Sequence, residues 1–467
     1  MPDSRPATVG DLRRSEYRVL PVRAELRRNL IRRLAAGDAL FAGILGYEES
    51  VIPQLENAIL AGQDLILLGE RGQAKSRLLR GLCALLDEAI PALAGCEIND
   101  DPYNPLCRRC RELVAQSGDD TAVAWLTPEM RYSEKLATPD TSIADLIGEV
   151  DPIRVAEGRY LSDELTIHYG LIPRTHRGIF AINELPDLAE RIQVGLLNII
   201  EERDVQIRGY RLRLPLDVFV VATANPEDYT NRGRIITPLK DRFGAQIRTH
   251  YPRSVEHEIA IVDQEATTFD EMPVPVHVPH YMQEIIAEFT QLARRHPQVN
   301  QRSGVSVRMS IANQENLASN ALRRALRTGE KEAVARISDL SALAASSAGK
   351  LELETLDEGD DSAVLDKMLR TACSNVFRRH FNTAEFAELL QRFDRGGFTV
   401  EVGDGLAASA YAAALSELPG LDAATEKLGQ PSSASSRAAV LEFILEGLHR
   451  GKRLNKTEMD GTAVYGG

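Results

Sequence analysis

The hydrophobic pattern of the chain changes period most sharply between residues 64 and 86. Leu65-Ile66-Leu67-Leu68 is a short apolar run that reads as a buried strand. The next residues, Gly69-Glu70-Arg71-Gly72-Gln73-Ala74-Lys75-Ser76, are glycine, charged or small. Leucines at 78, 79, 82, 85 and 86 then fall on one face of a helix. Upstream, Leu26, Leu30, Ile31 and Leu34 predict an amphipathic helix in an arginine-dotted segment, 1–38, whose charges read as a solvated face. Ile44-Leu45-Gly46-Tyr47-Glu48 leads into a helix from Val51 to Leu60, closed by Gly62-Gln63.

Downstream, Ala122–Leu126 reads as a second strand, and Pro128 and Pro139 bracket a loop. Gly178–Ile182 is another buried strand, ending in Asn183-Glu184. Ala189–Glu201 is a helix with Ile192, Leu196, Leu197 and Ile200 on one face. Asp204–Leu214 alternates about Gly209 as a hairpin does. Val218–Ala224 is a strand tipped by Asn225-Pro226, and Leu239-Lys240-Asp241-Arg242-Phe243 follows. Beyond Pro252 the pattern is helical, near 253–266, near 278–295, from after Ser306-Val307-Arg308 to about Arg327, and near 333–348. An acidic loop spans 357–361. Residues 429–436 have a linker's composition, and a short amphipathic helix is predicted near 437–449.

A chain of 467 residues can hold two or three domains. Its net charge of −13 argues against nucleic acid as the main partner. It has no run of about eighteen apolar residues and no apolar core of a signal peptide, so the expectation is a cytoplasmic protein without a membrane span. Five cysteines do not make a disulfide framework. Cys96, Cys107 and Cys110 offer three thiolates within an inserted loop, 87–121. A structural zinc site needs four ligands, and Cys83 is the nearest candidate for the fourth. The preferred reading is reduced thiols, with zinc well below one per chain.

The strand, tight loop and helix at 64–86 are the context that a phosphate-binding loop requires. Such a loop aims backbone N–H groups and a helix N-terminus at phosphates. Lys75 would reach the β- and γ-phosphates, and the Ser76 hydroxyl would take a place on Mg²⁺. Ala74 stands where a second glycine is usual, which is tolerable if that residue keeps a negative φ. In a P-loop protein the later apolar strand delivers an acid to the metal and a glutamate to the attacking water. Asn183 holds the first place and Glu184 the second.

This ordered set, from P-loop to Asp241-Arg242-Phe243, resembles the AAA+ ATPases. More narrowly it is similar to the branch that includes the MoxR-type ATPases, the magnesium chelatase ATPase subunit and the minichromosome-maintenance helicases. Asp145-Leu146-Ile147-Gly148 resembles the start of the helix-2 insert, and Thr223-Ala224-Asn225-Pro226 the MoxR sensor-1 motif. The resemblance covers roughly residues 40–330. It implies an α/β fold: a parallel sheet with flanking helices (39–252), a helix-2 insert (144–177), a hairpin (204–214), an α-helical lid (253–345) and a helical C-terminal region (346–467). It implies ATP and Mg²⁺ as cofactors, with Gly69 to Ser76 on the phosphates, Gly46 and Tyr47 near adenine, and Ser76 and Asn183 at the metal. It makes Lys75 and Glu184 catalytic, Asn225 sensor 1, Arg242 an arginine finger and Arg308 the sensor-2 arginine. Asn183 in place of aspartate implies slow turnover. The implied function is an ATP-hydrolysing hexameric ring that remodels a protein client, with a von Willebrand factor A domain protein as partner. The alternatives are a magnesium chelatase ATPase subunit and an ATP-binding scaffold with little hydrolysis.

Overall fold

The computed structural model describes residues 5–151, 153, 156, 164–206, 213–225, 233–300, 304–353, 360–395, 398–459 and 462–467. The chain divides into two units, Met1–His250 and Tyr251–Gly467. Among the described residues no helix is long and apolar enough to cross a membrane.

The first unit is built on a five-stranded parallel sheet. Its strands are β1 (Leu65–Leu68), β4 (Tyr132–Leu136), β7 (Gly178–Asn183), β10 (Val218–Ala224) and β11 (Ala245–Arg248), in the order β11-β1-β10-β7-β4. A parallel sheet must be covered on both faces, so its strands read as continuous apolar runs. Alternate residues feed two cores. Leu65, Leu67, Ile179, Ala181, Phe219 and Val221 pack one way, toward α1 (Val22–Ala36), α2 (Val51–Ala61) and α3 (Lys75–Gly81). Ile66, Leu68, Phe180, Ile182, Val220 and Ala222 pack the other way, with α5 (Glu190–Glu201).

β4 lies where a loop is expected between Pro128 and Pro139. Its sequence, Tyr-Ser-Glu-Lys-Leu, is half-exposed and carries no apolar run, because it is the edge strand of the sheet. The expected strand at 122–126 exists as β3 (Val123–Leu126). It pairs antiparallel with β2 (Ile90–Leu93), outside the main sheet. The helix α4 (Arg108–Ser117) lies between β2 and β3. The segment expected as a helix-2 insert, 144–177, contributes a short antiparallel pair, β5 (Gly148–Val150) and β6 (Ile167–Tyr169). The expected hairpin is β8 (Asp204–Gln206) against β9 (Arg213–Pro215), with its turn, Gly209 included, outside the described residues.

Most arginines of the N-terminal segment are exposed, as a solvated face requires, but several also hold partners in the rest of the unit. Arg23 and Arg28 pair with Asp64 and Asp87, and Arg27 and Arg33 donate to the carbonyls of Leu60 and Ala84. Leu26 and Leu30 are buried, whereas Ile31 and Leu34 are exposed. Glu25 accepts both arms of the buried Arg131 guanidinium, at 2.7 and 2.5 Å. Arg131 also donates to Arg177 O at 2.8 Å.

The second unit is mostly helical. It contains α6 (Val255–Glu265), α7 (His280–Ala293), α8 (Val307–Thr328) and α9 (Asp360–His380). The expected helix at 333–348 is a two-residue strand, a 3₁₀ turn and then a short helix, Leu343–Ala348. Most of the expected acidic loop, 357–359, lies outside the described residues, and Asp360 already opens α9. The expected linker at 429–436 runs into a helix: Ser433 caps α10 (Ala434–Arg450) by accepting from Ser436 N. This helix is not amphipathic. Every residue from Ala438 to Leu448 is buried, as in a helix enclosed on all sides. Glu442 and Glu446 survive there because they are paired. Glu442 meets Arg336, Tyr411 and Ser338, and Glu446 meets Arg450, Lys456 and Tyr465. A three-stranded antiparallel sheet, Val400–Gly403, Thr462–Gly466 and Asn455–Met459, completes the unit.

Removing one member of a buried ion pair strands the other, at a cost of about 3–5 kcal/mol. Arg131→Met should therefore lower the urea midpoint steeply. The double variant Glu25→Leu with Arg131→Met should recover part of the loss. Equal midpoints for Arg131→Met and wild type would show that the N-terminal helix is not anchored through this pair.

Candidate functional site

Gly69 ends β1, and its N–H continues the sheet by donating to Ala224 O at 3.1 Å. Only glycine fits there: a Cβ would lie 1.8 Å from Thr249 Oγ1 and 2.2 Å from Gln73 Oε1. Gln73 is buried and shapes the loop from within. Its Oε1 accepts from Glu70 N at 3.1 Å and from Thr249 Oγ1 at 2.6 Å. Gly72 has φ +74°. Ala74 has φ +54°, against the expectation of a negative value. The loop needs a left-handed residue to turn into α3, and alanine adopts it at a cost of about 1–2 kcal/mol. Leu78 N then donates to Ala74 O to start the helix. Lys75 is buried, and its ammonium donates to the carbonyls of Gly69 and Glu70.

Tyr47 is brought to the same loop. Its hydroxyl lies 2.9 Å from Gln73 O and 2.8 Å from His250 O, and its ring meets the His250 ring edge-on. Burial pushes the phenol up to about 12, so it stays protonated. Gly46 precedes it with φ +80°, and its N–H donates to the Glu48 carboxylate.

Parallel strand ends place the remaining groups. Ser76 Oγ is 3.4 Å from Asn183 Oδ1, at the tip of β7. Thr223, on β10, donates to the same Oδ1 at 3.2 Å and accepts from Glu184 N at 3.0 Å. The Asn183 amide nitrogen donates to Glu134, from β4. Arg80, one turn into α3, grips the Glu134 carboxylate with two N–H groups at 2.8 and 3.1 Å. Burial raises the Glu134 carboxyl, but the Arg80 guanidinium outweighs it, with help from Asn183 and Tyr132, and the net direction is down. Glu134 is therefore a carboxylate at neutral pH.

Neither Glu134 nor Thr223 is marked as a site residue in the sequence. Glu134 hides in an edge strand without an apolar signature. Thr223 sits inside the sensor-like stretch, where only the register of β10 on β7 shows where it points.

Glu184 follows β7 in a left-handed conformation, φ +54°, which turns the chain out of the sheet. Asn225 follows β10 and is buried. Among the described residues its Oδ1 meets no hydrogen-bond donor. Arg242 closes the helix Thr237–Arg242. It pairs with Glu201 and donates to Pro238 O at 2.9 Å, so its partner is not the neighbouring Asp241. Arg308 belongs to the second unit and is exposed at the start of α8.

The groups at the sheet edge fit a phosphate ester with a divalent cation. A cradle that a Cβ would fill, a lysine on the loop, a hydroxyl facing Asn183 and a buried Asn225 Oδ1 all converge there.

The chain matches no family model. It is 27% identical over 246 residues to the magnesium-chelatase 38 kDa subunit of Rhodobacter capsulatus, covering 50% of this chain and 62% of that one. It is 28% identical over 240 residues to magnesium-chelatase subunit ChlI-2 of Arabidopsis thaliana, covering 50% and 53%. The chain thus spans less than two thirds of these relatives' length. Among solved structures, a model of the magnesium chelatase BchI–BchD complex aligns at 21% identity and a TM-score of 0.33, over 72% of this chain and 97% of that one.

Replacing Ala74 by glycine removes the left-handed penalty and costs about 0.5–1 kcal/mol of unfolded-chain entropy. Ala74→Gly should therefore stabilise the chain by roughly 0.5–1 kcal/mol in urea unfolding. A loss of stability would mean that residue 74 has a negative φ.

Proposed function

We propose that this chain, a AAA+ protein of the MoxR and magnesium-chelatase-like branch, hydrolyses ATP as a homo-oligomeric ring and uses the cycle to remodel a protein client. The carrying observation is the convergence of Ser76, Asn183, Thr223 and Glu134 on one strand-end network. The loop N–H groups and Lys75 would hold the β- and γ-phosphates, and Ser76 with Asn183 would hold Mg²⁺. Bound Mg²⁺ would supply charge neutralisation at those phosphates. Glu184 would orient the attacking water and take its proton, and Asn225 would donate a hydrogen bond at the same water or the γ-phosphate. Glu134 replaces, one strand over, the charge that Asn183 lacks. That is the reason to read the site as a working ATPase and not as a binding scaffold. A partner with a von Willebrand factor A domain is supported by the family resemblance alone. A magnesium chelatase subunit is the second reading, favoured by the relatives' identity.

The acid-transfer idea has a direct test in the Mg²⁺ dependence of ATPase activity. Glu134→Gln should raise the Mg²⁺ needed for half-maximal activity by about tenfold, one pKa-sized unit of lost interaction. Asn183→Asp alone should give no gain, because two carboxylates would meet without the bridging N–H. The double variant, Glu134→Gln with Asn183→Asp, should return toward wild type. Unchanged Mg²⁺ dependence in Glu134→Gln would remove Glu134 from the site.

Ring action is tested by mixing variants. Lys75→Ala should lose ATP binding, and Glu184→Gln should bind ATP without turnover. Arg242, released from Glu201 at a subunit boundary, would supply positive charge to the neighbour's γ-phosphate. Such fingers contribute on the order of 10³–10⁵ in rate. Arg242→Ala should bind ATP and lose hydrolysis, and mixing it with Lys75→Ala should restore part of the activity. Mixed rings as inactive as either parent would rule out a trans role. Turnover in Glu184→Gln equal to wild type would favour the scaffold.

A further inference from the structure

The inserted segment between β2 and β3 brings four potential metal ligands together. Cys96, Cys107 and Cys110 each offer a sulfur and Asp100 an oxygen, and these atoms all lie within 4.8 Å of one another. Cys83, the fourth ligand expected from spacing, is not among them. It sits in the turn after α3, where burial pushes its thiol up to about 11. The sequence concealed the fourth group because the ligand is a carboxylate four residues after Cys96.

The surroundings are those of a ligand set. Two backbone N–H groups, of Ile98 and Asp100, donate to Cys96 Sγ at 3.4 Å. Cys110 N donates to Cys107 Sγ at the same distance, with Cys107 as N-cap of the ten-residue α4. N–H donors and a helix N-terminus favour thiolate over thiol. Asn99 takes φ +57°, the turn that returns Asp100 N to the Cys96 sulfur. Asp100 is fully buried, with its two oxygens accepting from Leu106 N and Cys107 N at 3.0 Å. Among the described residues no arginine or lysine pairs with it. A buried carboxylate without a cation is costly, and a divalent metal supplies the missing charge.

We propose that Cys96, Asp100, Cys107 and Cys110 bind one structural Zn²⁺ ion as a closed tetrahedral site. Three soft sulfurs and one oxygen suit zinc. Zn–S bonds of about 2.3 Å put ligand atoms roughly 3.5–3.8 Å apart, so closure asks for shifts of about 1 Å or less. The ion cross-links the two arms of the insert. One arm, Glu97 to Asp100, holds the short helix Leu171–Arg174: Asn99 donates to Arg174 O at 2.8 Å and Glu97 pairs with Arg174. The other arm, α4, holds Glu164, which accepts from Arg108 N and Arg111. Glu164 and Arg174 flank β6, so the metal braces the returning half of the helix-2 insert.

The test is metal analysis of full-length protein purified from zinc-supplemented culture without chelator. About one zinc per chain is expected, retained in Cys83→Ser and lost in Cys107→Ser with Cys110→Ser. Asp100→Asn should lose zinc to a competing chelator at about a tenth of the concentration that strips wild type. Because the cysteine variants could fail to fold, wild type is also stripped under reducing conditions and titrated with Co²⁺. Thiolate-to-cobalt charge-transfer bands with strong tetrahedral d–d bands are expected. Proteolytic cleavage within 164–174 should speed up on stripping and slow again on adding zinc. Absence of both zinc and the cobalt spectrum overturns the proposal, as does a disulfide among these cysteines in protein purified anaerobically. Zinc loss from Cys83→Ser, or chelator resistance of Asp100→Asn equal to wild type, overturns the ligand set.

Discussion

One side-chain amide ties together the C-terminal ends of the central strands. Asn183 accepts from Ser76 and Thr223 through its oxygen and donates to Glu134 through its nitrogen. Ser76 follows the glycine-bearing loop after β1, Thr223 sits in β10 and Glu134 in β4, so a single residue ties three strands to the start of α3. An aspartate, acceptor only, could make the first two contacts and would repel the third. Asn183 and Glu134 are therefore a matched pair. The departure from an acidic strand tip is accommodated by a carboxylate on the next strand, itself fixed by Arg80.

Three of the five sheet strands, β1, β7 and β10, were legible because a parallel sheet covered on both faces imposes unbroken apolar runs. β4 and β11 escaped because edge strands obey no such rule, and Glu134 escaped with β4. The loop and its lysine were legible from glycine spacing and flanking periodicity. The left-handed Ala74 was not, since conformation at one residue is set by the turn and not by its side chain. The family resemblance supplied the expected roles of Asn225, Arg242 and Arg308. The geometry adds for Arg242 an intrachain partner, Glu201, that nothing local in the sequence indicates.

Charge was an incomplete guide at both ends of the chain. Most N-terminal arginines are exposed, as expected, yet several also bind carboxylates and carbonyls of the first unit. The helix expected to be amphipathic, α10, is enclosed instead, and its glutamates each have several donors. A sequence records that a residue is charged but not whether its partner, tens or hundreds of positions away, is present. Gly447 is the complementary sign: a Cβ there would lie 2.1 Å from the Phe377 ring, so the helix must run flush against its neighbour.

The Tyr47 hydroxyl has one proton and two carbonyls within reach, those of Gln73 and His250. One proton cannot fully serve both oxygens. The two carbonyls therefore compete for this one proton, and whichever lies nearer and better aligned takes the larger share. Gln73 belongs to the loop after β1 and His250 is the last residue of the first unit. A competition over a single hydrogen ties the state of that loop to the point where the chain leaves the sheet.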